Sequence, residues 1–287
     1  MTTRLQFLSH TDMTTMYHAF MAAFADYVQD ASGVTEANFT NRAIRNNVNL
    51  DVSVGIFDGD DLVGFTMVGL DRYQGVYAAY DAATGISKPY RGQGLAKAMF
   101  EFIVPALKER GVERFYLEAI QENEPAVRAY QKTGFEIDRE LDVFRITFEG
   151  LGAQLGDPAG IEVRPIDKGQ FPQAAAFFDW QPTWDQTVAS ITRIPDEVLM
   201  LGAFSGNRLV GELVYYPLQN WVLSLAVDQA YRRRKIGSAL MSHLHSELGE
   251  RLPATGNIDH GDSGMLAFLD AIGSKFITNQ YEMSLDL

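Results

Sequence analysis

Two stretches of this chain repeat one another in order. Phe57-Asp-Gly-Asp-Asp-Leu-Val-Gly64 recurs as Phe204-Ser-Gly-Asn-Arg-Leu-Val-Gly211, 147 residues on. Tyr90-Arg91 recurs as Tyr231-Arg232, 141 on, Gly134 as Gly273, 139 on, and Phe135 as Phe276, 141 on. Collinear landmarks with a small drift in spacing are the mark of a duplicated unit. They constrain the 287 residues to two copies of one fold, over 1–148 and 161–287. The segment between them, 149–160 (EGLGAQLGDPAG), has four glycines and a proline with little hydrophobic period and reads as a linker.

Composition narrows the chemistry. There are 0 cysteines, which removes thiol catalysis, disulfide scaffolds, zinc fingers and iron–sulfur clusters. The formal net charge is -13, with 14 basic against 22 acidic residues up to Gly160 (-8) and 10 against 15 beyond it (-5). Neither half is a charged tail, and neither carries the basic footprint that nucleic-acid backbones require. No apolar run reaches the ~18 residues of a membrane span, and the N-terminal stretch lacks the apolar core of a signal peptide. The expectation is a cytoplasmic protein with no nucleic-acid or membrane partner. With 5 histidines and no cysteine, no metal site is expected either.

The first copy reads as ααβββαβαβ. Met13, Met16, Tyr17, Phe20, Ala23 and Phe24 recur at helical spacing, behind a cap candidate at Ser9 with Asp12 three residues on. A second helix follows Thr35 and runs near Arg45. Strands are expected over Val52–Phe57, Leu62–Val68 and Tyr77–Ile86, the first two joined by a hairpin loop at Asp58–Asp61. A helix runs from about Gly94 to Arg110, then a buried strand Arg114–Ile120, a short helix Pro125–Thr133, and a last strand or hairpin Phe135–Phe148.

Between a strand and a helix lies Tyr90-Arg91-Gly92-Gln93-Gly94-Leu95-Ala96-Lys97. Unpaired N–H groups at a helix start, with the positive end of its dipole, form an anion site, and glycines allow close backbone approach. Arg91 and Lys97 are placed to add charge. The segment lacks the G-x-x-x-x-G-K-[ST] of a Walker loop, and Lys97 stands at the third glycine of a Rossmann turn.

Arg91-Gly92-Gln93-Gly94-Leu95-Ala96 matches [Q/R]-x-x-G-x-[G/A], and downstream stand Leu117-Glu118-Ala119, Asn123, Ala126-Val127, Tyr130 and Gly134-Phe135. In these residues the chain resembles the GCN5-related N-acetyltransferase (GNAT) superfamily, with spacing similar to its bacterial ribosomal-protein alanine acetyltransferase-like branch. The resemblance covers most of 1–148 and is sharpest over 84–135. It implies an α+β fold of two tandem GNAT-like domains, each a mixed, mostly antiparallel sheet flanked by helices. It also implies acetyl-CoA as co-substrate and direct acyl transfer to an amine.

The resemblance assigns roles. Thr84, Gly85 and Ile86 would pair with the pantetheine arm through their backbone, and Arg91, Gly92, Gln93, Gly94, Leu95, Ala96 and Lys97 would cradle the pyrophosphate. Asn123 would hydrogen-bond the cofactor arm; its alternative is a turn residue before Pro125. Tyr130 would protonate the leaving thiolate, against the alternative of an aromatic core residue. Glu118, in an apolar strand where burial would raise its pKa, is the general-base candidate, the alternative being a structural pair. Tyr80 and Asp81 are the second base candidates or shape the acceptor pocket.

The second copy has drifted. Its loop is Tyr231-Arg232-Arg233-Arg234-Lys235-Ile236-Gly237-Ser238, with Lys235 at the first required glycine. Leu269 stands where Tyr130 does and Asp262 where Asn123 does, so this copy is expected not to catalyse. Gly261-Asp-Ser-Gly264 echoes a serine-protease string, but Met265 breaks it, and His243 and His245 do not share a helix face. The function expected is N-acetyl transfer to a small-molecule or peptide amine. The alternatives are a sensor that binds acyl-CoA or an amine without turnover, and a protein N-acetyltransferase. A homodimer is compatible with either.

Overall fold

The computed structural model describes residues 3–26, 31–154, 158–166 and 168–287, and it divides into two compact units. Unit 1 comprises Met1–Asp138 with Tyr281–Leu287, and unit 2 comprises Arg139–Gln280. The second repeat, expected to run to Leu287, therefore gives its last seven residues to unit 1.

Unit 1 opens with β1 (Thr3–Phe7), a strand absent from the sequence-based order. Then come α1 (Met13–Phe24) and α2 (Glu36–Arg45). Asp12, not Ser9, caps α1, its Oδ1 accepting from Thr15 N at 2.8 Å; Thr35 caps α2 as expected. The strands β2 (Val54–Asp58), β3 (Asp61–Tyr73) and β4 (Val76–Ile86) form an antiparallel meander. After the glycine-rich loop come α3 (Leu95–Glu109), β5 (Arg114–Ile120) and α4 (Glu124–Lys132). The sheet order is β1-β2-β3-β4-β5, followed by the terminal stretch of β12 (Lys275–Asp286).

That terminal stretch alternates. Tyr281, Met283, Leu285 and Leu287 join the core under α3 and α4, where Phe135 packs edge to face on Phe100 and Phe115. Glu282 instead accepts from Tyr73 Oη at 2.9 Å, Ser284 donates to Asp138 at 3.0 Å, and Asp286 accepts from Arg114 at 2.6 Å. This is the period of two of a strand with two different faces.

Unit 2 starts within β6 (Glu136–Arg145). The short helix α5 (Leu151–Gln154) and β7 (Ile161–Pro165) follow. The expected linker is packed into this unit at its beginning: Leu151 is buried, Thr147 donates to Gly273 O at 2.7 Å, and Gly150 N donates to Ile272 O at 3.1 Å. A Cβ on Gly150 would lie 2.2 Å from Ala271 O, so glycine here serves close backbone approach rather than looseness. In place of the paired helices of unit 1 there are 3-10 turns at Phe171–Phe177 and Trp184–Gln186 and the single turn α6 (Val188–Ile191). The remaining elements are β8 (Leu199–Ser205), β9 (Arg208–Tyr216), β10 (Trp221–Val227), α7 (Ile236–Leu248), β11 (Ala254–Asp259) and α8 (Ser263–Ala271). The sheet order is β6-β11-β10-β9-β8-β7. Among the described residues, no helix is long and apolar enough to cross a membrane.

Candidate active site

The site grows from a place where two strands part. β4 and β5 are parallel and stay in register only through Ala78↔Arg114, Ala79↔Phe115 and Tyr80↔Tyr116. Just past that point β4 carries a bulge: Met67 pairs Ala83 and Val68 pairs Asp81, leaving Ala82 as the extra residue. A bulge bends its strand and re-aims the next side chains. Asp81 and Thr84, three residues apart, would face opposite ways on a regular strand. The extra residue puts them together, and Thr84 Oγ1 lies 2.7 Å from Asp81 Oδ2 and 2.9 Å from Thr66 Oγ1.

Asp81 is buried, and burial pushes its carboxyl up to about 7. The Thr84 hydroxyl, the Arg42 guanidinium, the backbone of Ala83 and the Tyr130 hydroxyl act against that rise. Arg42, at the end of α2, is fixed by donation to Ala82 O at 2.8 Å. Sequence reading named Asp81 and Tyr130 separately but gave no sign that they meet, or that Arg42 joins them, because the bulge is invisible in the residue pattern.

Tyr130 combines its two readings. Its ring packs edge to face on Phe100 and Phe135, with centroids 5.7 and 5.9 Å away, while its hydroxyl acts on Asp81. Tyr80 and Glu118 come from the two parting strands, and Tyr80 Oη donates to Glu118 Oε2. Tyr80 is buried and Glu118 half-buried.

The glycine-rich loop has the backbone of a cradle. Gly92 and Gly94 both take left-handed φ, 75° and 76°, and a Cβ on either would point into open space. Neither glycine is needed to make room for another part of the protein. Gly94 is the N-cap of α3 and no side chain caps that helix, so its first N–H groups remain for a ligand oxygen.

Other residues of the expected set are already engaged. Asn123 Oδ1 caps α4 by accepting from Ala126 N at 3.4 Å, and Lys97 pairs with Glu101 at 2.5 Å on the solvent face of α3. Gln93 donates to Pro89 O at 3.2 Å, and Arg91 bonds Ile86 O, Ala23 O and Asp26.

Unit 2 keeps the frame and loses the groups. β10 and β11 part after Val222↔Thr255, and the bulge recurs between Val222 and Ser224. The gap is lined by side chains such as Leu223, Leu225, Met265 and Leu269 and leaves about 20 Å³, the room of roughly one water. The loop backbone survives, with Arg233 and Lys235 at φ 63° and 64° where unit 1 has glycines. Asp262 caps α8 as Asn123 caps α4, so the protease-like string is a helix start.

A profile of the Acetyltransferase (GNAT) family matches residues 13–135 and 162–256. The probable spermine N(1)-acetyltransferase of Bacillus subtilis subsp. natto (strain BEST195) is 35% identical over 100 residues, covering 31% of this chain and 62% of that protein. The chain thus spans about three fifths of the length of that relative (62%). A mycothiol acetyltransferase of Corynebacterium efficiens is 33% identical over 84 residues, covering 29% of this chain and 27% of that protein. Among solved structures, a tandem GNAT protein from the clavulanic acid biosynthesis pathway superposes with a TM-score of 0.77 at 14% identity, covering 99% of this chain and 98% of that one. A GCN5-related N-acetyltransferase from Sphaerobacter thermophilus gives 0.71 at 16% identity, with 99% and 95% covered. At these identities the superpositions speak for the fold.

Proposed function

Starting from the fact that the chain belongs to the Acetyltransferase (GNAT) family, we propose that unit 1 transfers an acetyl group from acetyl-CoA directly to a primary amine and that unit 2 does not catalyse. The observation that carries this reading is the gap after Tyr80↔Tyr116, flanked by Glu118 and Tyr130 and followed by a cradle of uncapped backbone. The backbone of Gly92 through Lys97 would hold the pyrophosphate, and that of Thr84, Gly85 and Ile86, with Asn123, the pantetheine arm. Bound there, acetyl-CoA supplies the acyl group as a thioester.

The chain's own groups do the proton work. A primary amine with a pKa of ~10.4 is almost wholly protonated at pH 7, a cost of about 4–5 kcal/mol before it can attack. Glu118, oriented by Tyr80, takes a proton from the acceptor nitrogen as the new N–C bond forms. Tyr130 gives its hydroxyl proton to the sulfur as the C–S bond breaks, and the same hydroxyl interacts with Asp81. With no cysteine in the chain, an acyl-thioenzyme route has no nucleophile.

For the acceptor, we favour a polyamine-like cation. The net charge of -13 attracts cations, and the spermine acetyltransferase relative aligns over 100 residues. The test is acetyl-CoA turnover, read as free thiol, across spermine, spermidine, monoamines and basic peptides. Tyr130→Phe is expected to lower kcat by about 100-fold or more with CoA affinity retained. Full kcat in that variant overturns the acid role, and tight CoA binding without turnover of any amine favours a sensor.

A further inference from the structure

Arg91 stands at the first position of the [Q/R]-x-x-G-x-[G/A] pattern, and its guanidinium is committed within unit 1. Nε donates to Ile86 O at 2.9 Å and Nη2 to Ala23 O at 2.7 Å. The two Nη atoms reach the Asp26 carboxylate at 3.1 and 2.7 Å. Arg91, and after it Lys88, hold that carboxyl below the usual range. Ala23 and Phe24 pack directly on Gly85, where a Cβ would meet them at 2.8 and 2.9 Å. The end of α1 is thereby fixed against the Thr84–Ile86 stretch from two directions.

Unit 2 repeats the construction. Arg232 Nε donates to Val227 O at 2.9 Å, Nη2 to Phe177 O at 2.8 Å, and Nη1 to Asp179. Ile86 and Val227 are equivalent, lying opposite Gly64 and Gly211 at the ends of β4 and β10. Ala23 and Phe177 are not alike: one is in the last turn of an α-helix and the other ends a 3-10 helix. The tie has outlasted both the change of element and the loss of the loop glycines. A glutamine, the other residue the pattern admits, has no charge but donates to carbonyl oxygens as arginine does. What the two residues share is the carbonyl bond and not the attraction to phosphate.

We propose that Arg91 is a positioning residue and not a phosphate ligand. It ties the last turn of α1 to the strand end that leads into the glycine-rich loop, so that an occupied loop steadies α1. The coupling rests on the reading of that loop as the CoA site; the tie itself does not.

Hydrogen exchange and calorimetry with CoA as probe test both parts. In the unmodified protein, saturating CoA should slow exchange of the Ala19–Asp26 amides. In Arg91→Ala, those amides should exchange faster without ligand, CoA should bind within about threefold of the unmodified Kd, and its protection of Ala19–Asp26 should disappear, whereas Asp26→Asn, which leaves both carbonyl bonds in place, should lose only part of it. Arg91→Gln, which keeps a carbonyl bond, should restore part of that protection. A CoA Kd weakened at least about 30-fold in Arg91→Ala, the loss expected for a charged contact to the ligand, overturns the proposal. So does protection that persists in that variant. If the unmodified protein fails to bind CoA, the proposed function falls. The tie is then still decided by the ligand-free exchange, and unchanged rates in Arg91→Ala refute it.

Discussion

Met283 offers the sharpest test of how the two units are composed. It lies on the last strand, beyond the second repeat's loop and helices, yet it is 0% exposed in the core of unit 1. Met283→Ala removes three heavy atoms from that core and leaves a cavity. Buried Met→Ala changes cost 2–5 kcal/mol, and a site with no exposure belongs in the middle of that range, about 3 kcal/mol. At tenfold per 1.4 kcal/mol, amides of β3, β4 and β5 that exchange through opening of unit 1 should accelerate by roughly 100-fold. The three tryptophans, Trp180, Trp184 and Trp221, all lie in unit 2, so their fluorescence reports that unit by itself. Met283→Leu, nearly volume-conserving, should cost under about 1.5 kcal/mol. Exchange in β3–β5 unchanged within about threefold, with acceleration confined to β8–β10, would show that the strand stabilises unit 2 and refute the assignment.

Three other changes have defined outcomes. Glu212 is buried, its Oε1 accepts from Ser224, its Oε2 has no hydrogen-bond partner among the described residues, and burial pushes its carboxyl up to about 8. The folded state then binds the extra proton between the ordinary carboxylate range and about 8, so stability falls as pH rises through that window. Glu212→Gln should flatten this slope, stabilise the protein at pH 9 by a few kcal/mol at most at about 1.4 kcal/mol per pKa unit, and so raise its tryptophan-monitored Tm there; an unchanged slope would count against a buried neutral carboxyl. Gly150→Ala pushes a methyl against the Ala271 carbonyl and should destabilise unit 2 by about 1–3 kcal/mol in urea unfolding followed by tryptophan fluorescence. Glu118→Gln should lower kcat by about 100-fold and leave CoA affinity in place, with activity partly regained as pH approaches the acceptor pKa; a flat pH response would remove the base role.

Much of the architecture is legible in local pattern. The repeat, the strand runs, the Thr35 cap and the glycine-rich turn are encoded by neighbours in sequence, and the structure has them within a few residues. What was not legible depends on partners far away in the chain. Tyr281–Asp286 alternates plainly as a strand, but alternation does not say which sheet takes it. The glycines of 149–160 read as looseness, whereas Gly150 is set by the backbone of Ala271 and Ile272. The pairing of Asp81 with Thr84 needs the bulge at Ala82, and a bulge costs a single residue with no compositional mark. Arg91 beside a phosphate-type loop suggested charge for an anion, and only its carbonyl partners reveal the other use.

The make-up of unit 1 also sets a timetable for synthesis. Its first 138 residues leave the ribosome long before Tyr281–Leu287, which complete its sheet beside β5. At 5–20 residues per second, the intervening stretch takes roughly 7–28 s to make. Throughout that interval β5 presents an unpaired edge, and Phe115 and Phe135 lack the cover that Met283 and its neighbours later supply. Unit 2, which needs residues up to Gln280, becomes complete only seven residues earlier. The duplicated unit has given not two independently ripening domains but one chain whose two units finish together.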